Sequence, residues 1–281
     1  MPPLARQDGQ DTQIAFDYCF EFMTLSLRRL NETLLALDDS PLNLVAVSHS
    51  NKFSRNGCSS RDRKLLQTTD IKANVVVAKD GSGDYATIAK AINAANGGRF
   101  VIHVKTGVYK EKIHTNKDGV TLIGDGKYST IIAYDDNTAK GTTMPNTATF
   151  AISGDGFIAR VIGFQNTAGP SGDQALALSV ISDHSVFYRC SISGYQDTLY
   201  AFALCQFYRE CNIQGTIDFI FGNAIAVFQN CMIILRRPSS NKYNVILAHG
   251  REDPGQNTGF VVQRCSITVE TNTKNKRFEK D

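Results

Sequence analysis

The feature of the sequence that most constrains the fold is a short motif that returns about every 21 residues. In each copy, apolar or aromatic residues are followed by polar ones, then by a cysteine, and by an isoleucine two positions later. Four segments carry the motif: SVFYRCSISG (185–194), QFYRECNIQG (206–215), AVFQNCMIIL (226–235) and FVVQRCSITV (260–269). The first three cysteines are 21 and 20 residues apart, and the fourth follows after 34 residues, which predicts a loop inserted in that turn.

A repeat of this length, built from short β-type segments, predicts a parallel β-solenoid. One coil cannot bury its own apolar edge, so consecutive coils must stack on one another to form a core. Leucine-rich repeats have a similar length, but their regular leucine ladder and asparagine pattern are absent from the sequence. An earlier segment, GFIARVIGFQN (156–166), fits as a further copy with Val161 at the cysteine position.

The repeated cysteines have two interpretations. As small apolar residues they can stack inside the coils, which is the interpretation we favour for Cys190 and Cys265. Cys211 and Cys231 hold equivalent places in neighbouring coils and could be bridged in an oxidising compartment. The odd number of cysteines, seven, does not by itself indicate a disulfide framework. No CxxC motif is present and the five histidines are separated, so a zinc site is not indicated.

The repeat also places two aspartates at the same point of consecutive coils. Asp197, in GYQDTLY, lies seven residues after Cys190, and Asp218, in GTIDFIFG, lies seven residues after Cys211. Parallel strands are about 4.8 Å apart, so the two carboxyl groups should be close neighbours on one face. One of them is then driven toward the neutral form, and the pair can supply an acid and a nucleophile or base. Turn aspartates that face water are the simpler alternative, but apolar residues follow both acids.

Composition and the remaining segments indicate how the chain is organised. The net charge is +3 and 42% of the residues are apolar, which fits a globular chain without the strongly basic character of nucleic-acid binding. No run approaches the roughly 18 apolar residues of a membrane span, and no signal peptide is readable. Residues 12–37 have helical periodicity, and a polar linker leads to strand-like sequence from Asn74. The GSG at 81–83 lacks the P-loop lysine, and the helix after it is expected to cap the solenoid.

Several motifs together resemble the plant-type pectin methylesterases. They include GSGDYATIAKAI, VIHVKTGVYKEKI, GYQDTLY, DFIFGNA and AHGREDPGQNTGF, and the resemblance runs from about residue 74 to residue 270. It implies an all-β, right-handed parallel β-helix that hydrolyses the methyl esters of polygalacturonate, without a metal or organic cofactor. The implied partners are methylated pectin and pectinesterase-inhibitor proteins, and the implied setting is a secreted monomer in the extracellular cell wall.

The resemblance also implies roles for individual residues. Asp218 matches the nucleophile that attacks the ester carbonyl. Asp197 matches the acid that protonates the departing methanol and then takes a proton from water. Gln174 and Gln196 match glutamines that stabilise the oxyanion, and Gln174 is expected to bind substrate as well. Thr143, in GTTMPNTATF, falls where the family has a substrate-contacting threonine.

Three segments follow from the same resemblance. Residues 1–47 resemble a helical remnant of the family's inhibitor-like pro-region, and residues 48–73 form a basic linker with a processing-like RKLL sequence. Residues 74–281 form the β-helix domain, for which the resemblance favours a disulfide between Cys211 and Cys231.

Two departures from the family pattern bear on function. The GRPW motif, whose arginine pairs with the nucleophile and whose tryptophan lines the sugar groove, is absent, and the sequence contains no tryptophan. LRRPSS (235–240) aligns with another family segment and is not a substitute. We therefore expect a chain that is incomplete at both ends, with a non-catalytic pectin-binding pseudoenzyme as the alternative function. Asp173 stands where the family often has histidine and is expected to add negative charge beside the site.

Two other classes of pectin-acting enzyme are rival hypotheses. A polygalacturonase-type glycosidase also uses aspartates on a β-helix, but an inverting glycosidase needs carboxyl groups roughly 6.5–9.5 Å apart, wider than adjacent coils provide. A pectate lyase requires a calcium site built from clustered acids, and the two acids that cluster here are too few for one.

Overall fold

The computed structural model describes residues 72–239 and 242–270, and within them the chain forms a stack of short parallel strands. The helix expected within residues 1–47 lies outside the described residues, as does nearly all of the linker. In chain order the strands are β1 (Val75–Val77), β2 (Phe100–Val104), β3 (Gly107–Lys110), β4 (Ile113–Thr115), β5 (Val120–Gly124), β6 (Thr130–Tyr134), β7 (Phe150–Ile152), β8 (Ile158–Arg160), β9 (Gly163–Asn166), β10 (Leu178–Val180), β11 (Ser185–Tyr188), β12 (Ser191–Ser193), β13 (Leu199–Ala201), β14 (Cys205–Arg209), β15 (Asn212–Gly215), β16 (Ile220–Gly222), β17 (Ile225–Gln229), β18 (Met232–Leu235), β19 (Leu247–His249), β20 (Gly259–Gln263) and β21 (Ser266–Val269).

These strands form three parallel sheets that run the length of the solenoid. Sheet A has the order β1-β2-β5-β8-β11-β14-β17-β20, sheet B the order β3-β6-β9-β12-β15-β18-β21, and sheet C the order β4-β7-β10-β13-β16-β19. Each complete coil contributes one strand to each sheet, as β11, β12 and β13 do. The predicted right-handed parallel β-helix is confirmed.

The inside of the coils is filled by aromatic and aliphatic side chains in continuous stacks. The rings of Phe187 and Tyr208 have centroids 4.8 Å apart, and Tyr208 and Phe228 are also 4.8 Å apart. All three residues are fully buried. Such stacks fix the vertical register of the coils, because a ring displaced by one coil would lose its neighbours on both sides.

A short helix, α1 (Ile88–Asn93), lies at the start of the solenoid, as the sequence predicts. Ile88, Ala91 and Ile92 are buried, and the helix packs against β1 and β2. The carboxylate of Glu111 accepts hydrogen bonds from the backbone N–H groups of Ile88 and Ala89, both at 2.9 Å. These bonds satisfy donors that a helix N-terminus otherwise leaves unpaired.

From β8 onward, each coil turns from sheet A to sheet B at a non-glycine residue with a left-handed backbone. These residues have φ values of 52–55° and are Val161, Arg189, Glu210, Asn230 and Arg264. Because Tyr188 pairs with Arg160, Val161 lies opposite Arg189, and Ile162 occupies the cysteine position. The sequence alignment that placed Val161 at the cysteine position is therefore wrong by one residue. Val161 and Ile162 are both apolar, so the sequence alone does not decide which of them occupies the cysteine position.

The longer interval before Cys265 is also explained by the fold. The segment between β18 and β19 and the segment between β19 and β20 are both longer than those of the preceding coil. The predicted inserted loop is confirmed, and its extra residues are divided between these two connections.

The predicted Cys211–Cys231 disulfide is wrong in this structure, where both residues are free cysteines. The Cys211 thiol lies 3.4 Å from the carbonyl oxygen of Arg209 and 3.3 Å from that of Phe187. The Cys231 thiol contacts the carbonyl oxygens two residues before it and one coil below in the same way. Each thiol thus has backbone carbonyl acceptors within hydrogen-bond reach, and the two sulfurs are not bonded to each other. Burial raises the pKa of the Cys211 thiol well above its usual value, so the thiol is unreactive.

Candidate active site

The two predicted aspartates lie side by side on sheet C. Leu199 of β13 pairs with Ile220 of β16, and each aspartate lies two residues before its strand. The register continues back to the acids, because the backbone N–H of Asp197 donates to the carbonyl of Ile217 at 2.9 Å. The prediction that the 21-residue spacing places Asp197 beside Asp218 is confirmed.

Both aspartates have a left-handed backbone conformation, with φ of 59° at Asp197 and 46° at Asp218. This region is unfavourable for most residues, but aspartate and asparagine tolerate it best after glycine. Because left-handed residues also occur at the turns between sheets A and B, this conformation belongs to the geometry of the coil and is not by itself a sign of catalysis.

A glycine opens each of the two turns because an added Cβ would collide with Thr198, which belongs to the same turn as Gly194 and to the coil next to Gly215. A Cβ on Gly215 would overlap the Cβ of Phe219 and lie 2.6 Å from Thr198 Oγ1. A Cβ on Gly194 would lie 2.7 Å from the same hydroxyl oxygen. The turns Gly194–Thr198 and Gly215–Phe219 are therefore packed directly on each other.

The two carboxyl groups differ in their environments. Asp197 is 8% exposed, whereas Asp218 is half-buried. Burial, and secondly the negative charge of Asp218, raise the pKa of Asp197 to about 7. The site therefore combines one carboxyl group that retains its proton in mildly acidic solution with a second, more accessible one.

The two predicted glutamines belong to the same patch of the surface. Gln174 and Gln196 pair in parallel, and the backbone N–H of Ala175 donates to the carbonyl of Gln196 at 3.2 Å. Gln196 immediately precedes Asp197, which neighbours Asp218 in the next coil. Three consecutive coils therefore contribute to one cluster: the first Gln174, the second Gln196 and Asp197, and the third Asp218.

Thr138 fixes the side chain of Gln174. Its hydroxyl accepts a hydrogen bond from the Gln174 backbone N–H at 3.1 Å and donates to Gln174 Oε1 at 2.6 Å. The oxygen end of the amide is thus occupied, which leaves the NH₂ donors to face a ligand. Sequence analysis did not identify Thr138, since a threonine in the long β6–β7 connection has no distinguishing pattern.

Thr143 lies in the same β6–β7 connection, five residues beyond Thr138, and is exposed. Its hydroxyl accepts a hydrogen bond from Asn146 Nδ2 at 2.9 Å. It remains a predicted substrate contact.

Three stacked aromatic rings belong to the strand segments that follow the two aspartates. Tyr200 stacks on Phe221 with centroids 4.5 Å apart and on Phe202 with centroids 4.7 Å apart. Since Leu199 and Ile220 are buried, the strand alternation directs Tyr200 and Phe221 to the outer face of sheet C. Rings exposed in this way can accept the apolar faces of sugars. The alternation in DTLYAF was the available sequence signal.

Two cations from the β18–β19 connection contact residues next to the glutamines. The guanidinium of Arg236 lies 3.9 Å from the ring centroid of Tyr195, the residue before Gln196. The ammonium of Lys242 lies 2.9 Å from a carboxylate oxygen of Asp173, the residue before Gln174. The charge that Asp173 was expected to add beside the site is therefore paired. Neither cation was assigned a role from the sequence.

Comparison with known proteins assigns the chain to a family. Residues 74–281 match the family model described as Pectinesterase. An Arabidopsis thaliana protein named probable pectinesterase/pectinesterase inhibitor 17 is 57% identical over 209 residues, which are 74% of this chain and 41% of that protein. The structure of pectin methylesterase from carrot has a TM-score of 0.71 and 49% identity, covering 72% of this chain and 65% of that one. A mutant pectin methylesterase in complex with a hexasaccharide has a TM-score of 0.66 and 29% identity, covering 72% of this chain and 68% of that one.

The chain therefore belongs to the pectinesterase family, as the sequence motifs indicate. It spans about half or less of the length of the curated relatives, namely 41%, 46% and 50% of three of them. Within residues 72–239 and 242–270, no helix combines the length and apolarity that crossing a membrane requires.

Proposed function

We propose that this chain hydrolyses the methyl esters of cell-wall pectin, releasing methanol and leaving free galacturonate carboxylates. The observation that carries the proposal is the pairing of Asp197 and Asp218 in adjacent coils, with the pKa of Asp197 raised to about 7. Family membership and the complex of a related pectin methylesterase with a hexasaccharide support a polysaccharide substrate.

In the first half of the reaction, an oxygen of the ionised Asp218 attacks the ester carbonyl carbon. The carbonyl electron pair moves onto its oxygen, and amide N–H groups of Gln174 and Gln196 stabilise the resulting oxyanion. When the carbonyl re-forms, the bond to the methoxy oxygen breaks, and Asp197 gives its proton to that oxygen. Methanol leaves, and an anhydride joins Asp218 to the galacturonate.

In the second half, water attacks the galacturonate carbonyl of the anhydride. Asp197, now ionised, takes a proton from the water, and the same glutamines hold the second oxyanion. The bond to Asp218 then breaks with its electron pair, which restores the Asp218 carboxylate and releases the free acid. Asp197 ends the cycle protonated, so the scheme is balanced without a cofactor.

The setting and partners of the protein are part of the proposal. By family resemblance, we place its action in the extracellular cell wall, with pectinesterase-inhibitor proteins as further partners and the monomer as the working state. Thr143 is proposed to contact substrate. The division into residues 1–47, 48–73 and 74–281 stays a prediction.

Methanol release from methylated pectin tests the proposal. The purified chain should release methanol, and Asp218→Asn should abolish that release while leaving the thermal unfolding transition in place. Asp253→Asn, an equal change in an exposed turn, is the matched control and should retain the parent rate. Equal activity of Asp218→Asn and the parent chain would refute the mechanism.

A binding-only function is the second candidate, and one observation favours it. Among the described residues, none donates a hydrogen bond to the carboxylate of Asp218 or forms an ion pair with it, so the nucleophile lacks an orienting partner there. If the folded chain binds polygalacturonate in a pull-down assay and yet releases no methanol, this second function is supported and the first is rejected.

A further inference from the structure

Arg236 is the first residue after β18, and its side chain is held in three directions. Its ring contact with Tyr195 covers one face of the guanidinium. Nη1 donates to the carbonyl oxygen of Gly194 at 2.9 Å, and Nε lies 3.3 Å from a carboxylate oxygen of Glu270. The side chain is 16% exposed. A planar guanidinium is suited to this combination of stacking and directed hydrogen bonds, which a lysine ammonium cannot reproduce.

The backbone of Arg236 adds a connection to the second aspartate turn. Its N–H donates to the carbonyl oxygen of Gly215 at 2.8 Å. Gly194 and Gly215 are the residues that open the Asp197 turn and the Asp218 turn. One residue thus bonds to the opening glycine of both turns, through its side chain to one and through its backbone to the other.

The backbone carbonyl of Tyr195 is held by its own turn and by the neighbouring turn. The carbonyl oxygen of Tyr195 accepts hydrogen bonds from the N–H of Thr216 at 2.9 Å and from Thr198 Oγ1 at 3.0 Å. The ring is therefore held by Arg236 and the carbonyl by Thr216 and Thr198. Gln196 and Asp197 follow directly, so their positions depend on how firmly Tyr195 is held.

We propose that Arg236 is a positioning residue for this active site: through Gly194 and Tyr195 it fixes the turn that presents Gln196 and Asp197 to the ester. The inference rests on the proposed hydrolase function and deepens it by assigning a role to a residue that touches neither the substrate nor the reacting atoms. This role differs from that of the GRPW arginine, which in the family pairs with the nucleophile, because the side chain of Arg236 contacts the Asp197 turn.

The first test compares the kinetics of Arg236→Ala and Arg236→Lys with those of Arg237→Ala. Arg237 is exposed and adjacent, which makes it the matched control. Arg236→Ala should lower kcat about tenfold to hundredfold, because small displacements of reacting groups have effects of that size. KM should change less than about twofold, since substrate contacts remain, and Arg237→Ala should match the parent. The kcat of Arg236→Lys should lie between those of Arg236→Ala and Arg237→Ala. If Arg236→Ala does not fold, Arg236→Lys takes its place in the comparison.

The second test does not require turnover. The carboxyl group of Asp197 is followed by NMR titration with ¹³C-labelled aspartate, and in the parent it should titrate near pH 7. Loosening the turn admits water to this carboxyl group, so Arg236→Ala and Arg236→Lys should lower the titration midpoint, and Arg237→Ala should not. A merely structural role would lower the folded fraction without moving the midpoint of the folded molecules.

Coupling between Arg236 and Tyr195 provides a third readout. If Arg236 acts through the Tyr195 ring, the losses in Arg236→Ala and Tyr195→Leu should not add in the double variant. Additive losses, or an unchanged Asp197 midpoint in folded Arg236 variants, would overturn the positioning role. An inactive parent chain whose midpoint still shifts in the Arg236 variants would refute the proposed hydrolysis while supporting the positioning of the turn.

Discussion

The Asp197 turn and the Asp218 turn occupy equivalent positions in adjacent coils and have different surroundings. Both begin with glycine and carry a left-handed aspartate two residues before a strand of sheet C. The first turn has a buried acid, contains Gln196 and is held by Arg236, whereas the second turn contains Ile217 and has a half-buried acid. Repetition therefore supplies equivalent positions, and the neighbouring connections make them chemically different.

The largest expected effect separates the two acids by their roles. A galacturonate ester with a nitrophenolate leaving group needs no proton on departure, so Asp197→Asn should still form the anhydride. Its overall turnover should fall about 10²- to 10⁴-fold because water is no longer activated. Stopped-flow absorbance should then show a burst of one equivalent of nitrophenolate in Asp197→Asn and no burst in Asp218→Asn. A burst in the Asp218 variant would reverse the assignment.

The next effect is on stability and depends on pH. Between pH 3.8 and about 7 the unfolded chain loses the Asp197 proton while the folded chain keeps it, so this residue's contribution to stability falls as the pH rises. Asp197→Asn removes that cost, and at pH 8 it should be more stable than the parent by on the order of 1–4 kcal/mol.

Urea denaturation at pH 4 and pH 8 measures this difference, which should nearly vanish at pH 4. Asparagine tolerates the left-handed backbone, so the comparison is free of added strain. The same change at half-buried Asp218 should stabilise less. Equal gains at both positions would show that the two turns do not differ in burial as the structure indicates.

A smaller effect tests the packing between the two turns. Gly215→Ala should destabilise by about 1–3 kcal/mol, because its Cβ meets both Phe219 and Thr198. Gly194→Ala should cost less, since its Cβ meets the Thr198 side chain alone. Gly259→Ala, with no atom within 4 Å of the added Cβ, is the control and should be near neutral. Free energies of unfolding from urea titrations rank the three, and the reverse order would contradict direct packing of the turns.

The smallest effect concerns Asp173, a third left-handed aspartate, with φ of 53°. It is exposed and paired with Lys242, so the left-handed conformation alone does not make an aspartate catalytic. Lys242→Ala should raise KM for the anionic polymer by less than about fivefold, as expected for an exposed ion pair. The increase should disappear at high salt and in the Asp173→Asn background. A large, salt-independent loss of kcat would instead give Lys242 a role like that of Arg236.

The elements that the sequence predicted are those encoded by the repeat itself. The spacing from Cys190 to Asp197 recurs from Cys211 to Asp218. Because the coils stack in parallel, residues at the same position of consecutive repeats become neighbours. This is why the solenoid and the pairing of the two acids were predictable. The position of Val161 was not, because two apolar neighbours fit the same pattern.

Contacts made by the connections between strands could not be predicted from the sequence repeat. Tyr195 and Arg236 are 41 residues apart in the chain, and the conformation of the longer β18–β19 connection brings them together. The Cys211–Cys231 bridge is absent for a related reason, since equivalent positions predict neighbouring residues but not whether their sulfurs are bonded. The hydrogen bond from Thr138 to Gln174 likewise depends on the path of the β6–β7 connection.

The register between β13 and β16 has a consequence for how such a site can be inherited. Neither coil contains an active site by itself, because the pair of acids exists at the boundary between two repeats. Duplication of a whole coil elsewhere would lengthen the solenoid and keep that boundary intact. Duplication of one coil between Asp197 and Asp218 would move the two acids apart by a full layer. The chemistry of this chain thus depends on the order of its repeats. A duplication preserves the site when the coils that carry Asp197 and Asp218 stay adjacent.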